Sequence, residues 1–208
     1  MTSSSPPKVF RCGCGNFKFS LSGTPVSNFN CHCHSCVAAA RYIDENPGSA
    51  GKGISNIDGS AGVALACYKL VNAEFPEGKD PRVGMGSVKV GDSGKMLRYF
   101  STCCGTPVLV SEAKFSVLMV NRNALYVDDE CKTKYIPDKP ALNIMTKYCF
   151  GEKANIASPK SDIISFGALL SFIPLMISSA IGFGYGPNKF PARNEDVDRA
   201  EVCPITWE

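Results

Sequence analysis

The run Cys31-His32-Cys33-His34-Ser35-Cys36 places three thiols within six residues, at Cys-x-Cys-x-x-Cys spacing. Thiolate sulfur binds zinc at about 2.3 Å, and a tetrahedral site needs several such donors converging on one point. Cys-x-x-Cys achieves this by wrapping a tight turn around the ion, and Cys-x-Cys by using a bent or bulged segment. Cys31, Cys33 and Cys36 are therefore the strongest metal signal in the chain. A second Cys-x-Cys, Cys12-Gly13-Cys14-Gly15, has glycines that permit a turn but lacks a partner nearby in sequence. Cys104, just before Gly105-Thr106-Pro107, can supply one, and its neighbour Cys103 is a further candidate. Adjacent residues on a strand point to opposite faces, which argues against Cys103 and Cys104 sharing one ion. His32 and His34 alternate with the cysteines. On an extended segment they point away from the face of Cys31 and Cys33 and read as supporting or surface groups. Cys67, Cys131, Cys149 and Cys203 are isolated and read as buried or surface thiols.

The chain has 208 residues and 11 cysteines, an odd number that leaves one thiol over in any complete disulfide pairing. Met1 to Lys8 is rich in Ser and Pro and has no apolar signal run. These features predict an intracellular, reducing compartment, cytoplasmic or membrane-associated, where clustered thiols hold metal in preference to forming disulfides. The net charge is +3 and basic residues are mixed with acidic ones, so no nucleic-acid partner is expected.

The elements that must position these cysteines read as mainly β. Residues 1–8 are expected to form a disordered lead and residues 9–150 a zinc-binding domain of short antiparallel strands. Alternation over Val9–Leu21 predicts a hairpin. Further strands are expected at Val63–Leu70, Val88–Val90, Met96–Ser101, Pro107–Val110 and Phe115–Asn121, with closure near Tyr126–Tyr135. Asn28–Asn30 reads as a lead into the cysteine run, Val37–Tyr42 as a helical turn, and Asp44–Gly62 as a long loop. From Ile163 to Tyr185 no residue is charged. That run predicts a C-terminal hydrophobic helix within 161–185, either packed on the domain or spanning a membrane, which takes about 20 residues. Residues 186–208 read as a loose polar tail.

The sequence resembles the family of glutathione-dependent formaldehyde-activating enzyme and centromere protein V. Cys12-Gly13-Cys14-Gly15, Cys31-His32-Cys33-His34-Ser35-Cys36 and Arg98-Tyr99-Phe100-Ser101-Thr102-Cys103-Cys104-Gly105-Thr106-Pro107 occur in the family's order. The likeness is greatest to a branch in which Cys-Cys-Gly-Thr-Pro ends the motif, and Gly184 to Phe190 is similar to that branch's C-terminal region. The resemblance implies a β-tent fold with two zinc sites. Cys31, Cys33 and Cys36 would hold a catalytic-type zinc with one open position, and Cys12, Cys14 and Cys104 a structural one. The chain departs from the family at Ser101, which stands where a fourth structural cysteine is expected, leaving Cys103 as the candidate substitute.

Three thiolates give a zinc centre a net charge of about −1, which suits a soft thiol ligand and lowers that thiol's pKa. The resemblance thus implies a zinc-dependent carbon–sulfur lyase acting on glutathione or another small thiol–aldehyde adduct, with Zn2+ (one ion or two) as cofactor. The Asp44–Gly62 loop would cover the site, and His34 and Arg41 are base candidates by proximity. The alternative is a non-catalytic, zinc-stabilised scaffold that binds a protein partner, or a membrane through 163–185. Redox chemistry through Cys103-Cys104 is a third reading, less favoured because no Cys-x-x-Cys on a βαβ pattern accompanies the pair.

Overall fold

The computed structural model describes residues 7–45, 53–59, 61–69, 73–75, 83–92, 94–112, 117–138, 141–148, 156, 162 and 198–204. Among these, one sheet contains β1 (Lys8–Arg11), β2 (Lys18–Leu21), β5 (Ala73–Glu74) and β10 (Leu125–Tyr126), in the order β10-β1-β2-β5. A larger sheet contains β3 (Ser27–Cys31), β4 (Val63–Lys69), β6 (Met85–Val90), β7 (Met96–Ser101), β8 (Pro107–Glu112), β9 (Val117–Asn121), β11 (Leu142–Ile144) and β12 (Glu201–Cys203). Its order is β11-β3-β4-β9-β8-β7-β6-β12. A helix, α1 (His34–Glu45), follows β3 directly.

The large sheet is the middle layer. In β4 side chains alternate between faces, yet both faces are buried, so Val-Ala-Leu-Ala-Cys-Tyr reads as an almost unbroken apolar run. Val63, Leu65 and Cys67 pack with Phe29 and with Cys36, Val37 and Ala40 of α1. Ala66 and Tyr68 pack on the opposite side with Phe10, Phe19 and Leu21 of the small sheet. Burial of each large apolar side chain contributes about 1.5–3 kcal/mol, so the two clusters fix the layer order. Helix α1 presents Cys36, Val37, Ala39, Ala40 and Ile43 inward, the i, i+3, i+4, i+7 stripe of an amphipathic helix.

The hairpin over Val9–Leu21 and the strand at Met96–Ser101 are as expected, while β6 and β8 extend beyond their expected bounds. Asn28–Asn30 is a strand rather than a lead, because β3 pairs with β4 along its full length. The expected helical turn is a 12-residue helix, favoured by consecutive alanines at 38–40. Two pairings depart from the antiparallel expectation: β11 runs parallel to β3 and β12 parallel to β6. Each joins segments distant in the chain, as a parallel neighbour requires. The tail is accordingly not wholly loose, since Glu201–Cys203 forms an edge strand and Cys203 is buried. No helix among the described residues is long and apolar enough to cross a membrane. The uncharged run at 163–185 and Cys149 lie outside the described residues.

Candidate metal centres

Two groups of cysteines converge. Cys12, Cys14, Cys103 and Cys104 form one, and Cys31, Cys33 and Cys36 the other, the sulfurs of each group lying within 4.8 Å of one another. The ten described cysteines are free thiols.

The first group is assembled from two turns of different sheets. Cys12 follows β1, and its N–H donates to Phe17 O at 3.0 Å while Gly15 N–H donates to Cys12 O at 3.0 Å. Gly15 has φ 83°, a left-handed conformation costly for residues with a Cβ. This turn brings Cys14 beside Cys12, at 3.6 Å between sulfurs. The β7–β8 turn supplies the other two thiols. Cys103 Sγ lies 3.3 Å from Cys14 Sγ and 3.7 Å from Cys12 Sγ. A zinc tetrahedron with 2.3 Å bonds has sulfur–sulfur edges of about 3.8 Å, so these spacings fit one ion with little adjustment.

Cys103 therefore joins Cys104 in one donor set, contrary to the argument from strand alternation. Strand β7 ends at Ser101, and Thr102-Cys103-Cys104 is a turn, where successive side chains are free to converge. Gly105 N–H closes the turn onto Ser101 O at 2.7 Å, with Gly105 at φ 69°. Ser101 occupies the position expected for sulfur and takes a different role. Its Oγ accepts from Thr106 N–H at 3.1 Å and lies within hydrogen-bond distance of Cys104 Sγ, at 3.3 Å. Thr106 Oγ1 likewise accepts from Gly13 N–H (2.9 Å) and Ile54 N–H (3.1 Å) and faces Cys104 Sγ at 3.1 Å. Burial works against a thiolate at Cys104, but the Ser101 and Thr106 hydroxyls, with backbone N–H groups of Cys14 and Thr106, outweigh it and bring the thiol down to about 6. Burial pushes Cys103 up to about 12, helped by its bonds to Cys14 and Cys12.

The second group sits where β3 becomes α1. Cys31 is the last residue of β3 and Cys36 lies in the first turn of the helix. Cys33 lies between them, its carbonyl accepting from Cys36 and Val37 N–H, each at 3.1 Å. Cys31 Sγ and Cys33 Sγ are 3.4 Å apart, and Ser35 Oγ is 3.5 Å from Cys33 Sγ. The bond from Cys31, then that from Cys36, pulls Cys33 down to about 2 against the effect of burial. Cys31 moves well above the ordinary thiol range through its bonds to Cys33 and Cys36 and through burial. Cys36 has a bond with Cys31 that favours its thiolate, yet its bond with Cys33 and burial push it up to about 11. Among the described residues this group offers three sulfurs and no fourth His, Cys, Asp or Glu donor.

Four thiols suit a closed zinc site, and three suit a site with one position left over. Of the expected Asp44–Gly62 loop, Asp44 and Glu45 belong instead to α1, and residues 53–59 run between the two groups. Ile54 N–H binds Thr106 Oγ1 at the four-thiol group, and Asn56 lines a small cavity beside Cys36. Asn121 Nδ2 donates to Ile54 O at 3.1 Å, and Asn123 Nδ2 donates to Ser55 O at 3.1 Å, tying this segment to the end of β9.

The histidines stand outside both groups. His32 is fully buried with Nε2 3.2 Å from Asn143 Oδ1, and the His34 ring packs edge-on against Tyr148, with 5.5 Å between centroids. Arg41 lies on the exposed side of α1. Cys67, Cys131 and Cys203 are buried and belong to neither group. Spacing of cysteines could not reveal Ser101 and Thr106 as hydroxyl partners of Cys104, nor Asn56 and Arg98 beside Cys36. A signal for Arg98 does exist: it is a cation within an otherwise apolar and aromatic strand, Met96-Leu97-Arg98-Tyr99-Phe100.

No protein-family model matches the chain, and no curated protein matches it.

Proposed function

We propose that the protein is a zinc-binding carbon–sulfur lyase of the formaldehyde-activating and centromere protein V type, with a β-tent fold, acting on a small thiol–aldehyde adduct such as that of glutathione. The observation that carries this reading is the inequality of the two cysteine groups. Cys12, Cys14, Cys103 and Cys104 offer a full set of four sulfurs, whereas Cys31, Cys33 and Cys36 offer three. The first has the composition of a structural site and the second that of a reactive one. The order of the three cysteine motifs along the chain supports the same family.

Bound zinc would supply an electrophilic centre that stabilises a substrate thiol as its thiolate. The protein's part is to position and to balance charge. The junction of β3 and α1 holds Cys31, Cys33 and Cys36 on a rigid base, because β3 pairs with β4 and α1 is packed on the large sheet. Asn56, on a loop segment anchored by Asn121 and Asn123, lines the cavity beside Cys36. Cleavage breaks the carbon–sulfur bond with its electron pair leaving on sulfur, while the adduct's hydroxyl loses its proton to water and becomes the aldehyde carbonyl.

The test is metal analysis of protein purified under reducing conditions, followed by turnover of a hydroxymethyl-thiol adduct. Two zinc ions per chain and turnover abolished by Cys36→Ser are expected. Absence of zinc overturns the reading. Bound zinc without turnover leaves a zinc-stabilised scaffold, whose membrane form would be recognised by co-sedimentation that is lost on deleting residues 160–208.

A further inference from the structure

Between α1 and the large sheet lies a cavity of about 10 Å³, lined by Cys36, Ala40, Ile43, Asn56, Arg98 and Tyr99 together with apolar residues of β4 and β8. Arg98 and Asn56 are each only 6% exposed. Arg98 uses Nη1 to donate to Met96 O at 2.8 Å, and Nη2 lies 4.0 Å from Met96 Sδ. Its Nε has no hydrogen-bond partner among the described residues, and neither has Asn56 Oδ1. A guanidinium remains charged at any ordinary pH, and buried polar atoms without partners are strongly disfavoured. Among the described residues no carboxylate pairs with Arg98. Its charge instead acts on the thiols of Cys36 and Cys203.

The two unpartnered atoms are a donor and an acceptor, and the residues that carry them both line this one cavity. A hydroxyl or a water satisfies both at once, because it accepts and donates through the same oxygen. A volume near 10–15 Å³ is about what one water requires. We infer that this cavity is an oxygen-binding pocket beside the three-cysteine centre, taking one water at rest and the hydroxyl oxygen of the thiol–aldehyde adduct during reaction.

The second half of that inference rests on the lyase reading. In the direction of synthesis, the thiolate adds to the carbonyl carbon, a carbon–sulfur bond forms, and the π pair of the carbonyl moves to oxygen. Water then supplies a proton, leaving hydroxide, and the oxyanion becomes a hydroxyl. Arg98 Nε–H would stabilise the charge while it is on oxygen, and Asn56 Oδ1 would accept from the finished hydroxyl.

The experiment uses the full chain loaded with zinc, and the variants Asn56→Leu and Arg98→Lys. Crystals of the wild type should show one ordered oxygen within about 3.2 Å of both Arg98 Nε and Asn56 Oδ1. Both variants should keep the wild-type zinc stoichiometry and, with cobalt in place of zinc, the wild-type thiolate-to-metal absorption. Turnover of the hydroxymethyl-thiol adduct should fall about 100-fold, mainly in kcat. Density without an oxygen overturns the pocket, and wild-type turnover by Asn56→Leu overturns its role on the adduct. Asn56→Leu alone decides that role if Arg98→Lys yields no folded protein. Zinc-loaded wild type that lacks turnover overturns the lyase reading and with it the use by the adduct, while the crystallographic oxygen independently decides whether the pocket binds.

Discussion

Cys14 Sγ and Cys103 Sγ lie 3.3 Å apart across a sequence separation of 89 residues. That contact joins the β1–β2 turn of the small sheet to the β7–β8 turn of the large one, so one set of thiols spans both layers. A metal there would crosslink the two sheets at their turns, much as a disulfide closes a long loop.

Zinc stoichiometry should therefore separate the two groups. Wild-type protein is expected to bind two zinc ions, with Cys103→Ser weakening one site and Cys33→Ser the other. Atomic emission on each purified variant, with chelator competition for affinity, measures this. Two undiminished ions in Cys103→Ser would mean that Cys103 is not a ligand.

Removing metal should lower the thermal unfolding midpoint of the whole domain, because the four-thiol site ties turns of both sheets. The comparison is unfolding of zinc-loaded and chelator-treated protein, both kept reduced. Identical midpoints would show that packing alone holds the sheets together.

Ser101→Ala should destabilise the protein by about 1–3 kcal/mol, because it leaves the buried Thr106 N–H without its acceptor. It also removes a hydroxyl partner of Cys104. Denaturant titration reads the stability loss, and a weaker zinc affinity at the four-thiol site should accompany it.

Gly62→Ala should also be costly. A Cβ at Gly62 would lie 2.7 Å from both Cε1 and Nε2 of His32, whose ring is held by Asn143. Asn143 Oδ1 in turn accepts from Asn30, which is bonded to Arg122 at 2.6 Å, so the imidazole has little freedom to yield. Overpacking of this kind costs about 1–3 kcal/mol, readable as a lower denaturant midpoint at unchanged slope.

Alkaline pH should weaken the fold through Cys67, which burial raises from 9.0 to about 12. Below pH 9 the thiol is neutral in both states and its contribution is complete. Above that, the unfolded chain ionises while the folded one does not, so stability is lost as pH rises through 9 toward 12. The slope from one such group is about 1.4 kcal/mol per pH unit. Cys67→Ala should flatten the stability profile in that window by one proton, although it lowers stability at neutral pH.

Much of the candidate site was legible in the chain because three of its cysteines cluster locally. Cys31, Cys33 and Cys36 span one strand end and one helical turn, so their convergence needs only local geometry. The β hairpin and β7 were equally legible, since period-two alternation needs no partner to be seen. The parallel neighbours β11 and β12 were not, because three-residue edge pairings carry almost no periodic signal.

Sequence alone determined that this is a mainly β protein with three closely spaced thiols poised for metal and a second Cys-x-Cys in need of partners. Tertiary structure decided who those partners are. It turned the chain after Ser101 so that two neighbouring cysteines face one point, and used the serine to hydrogen-bond Cys104. It also placed Arg98 and Asn56, 42 residues apart in the numbering, on one cavity wall beside Cys36. The physical reason is the same in each case. Ligand type and short-range spacing are properties of the chain, but convergence of distant turns depends on how the sheets pack.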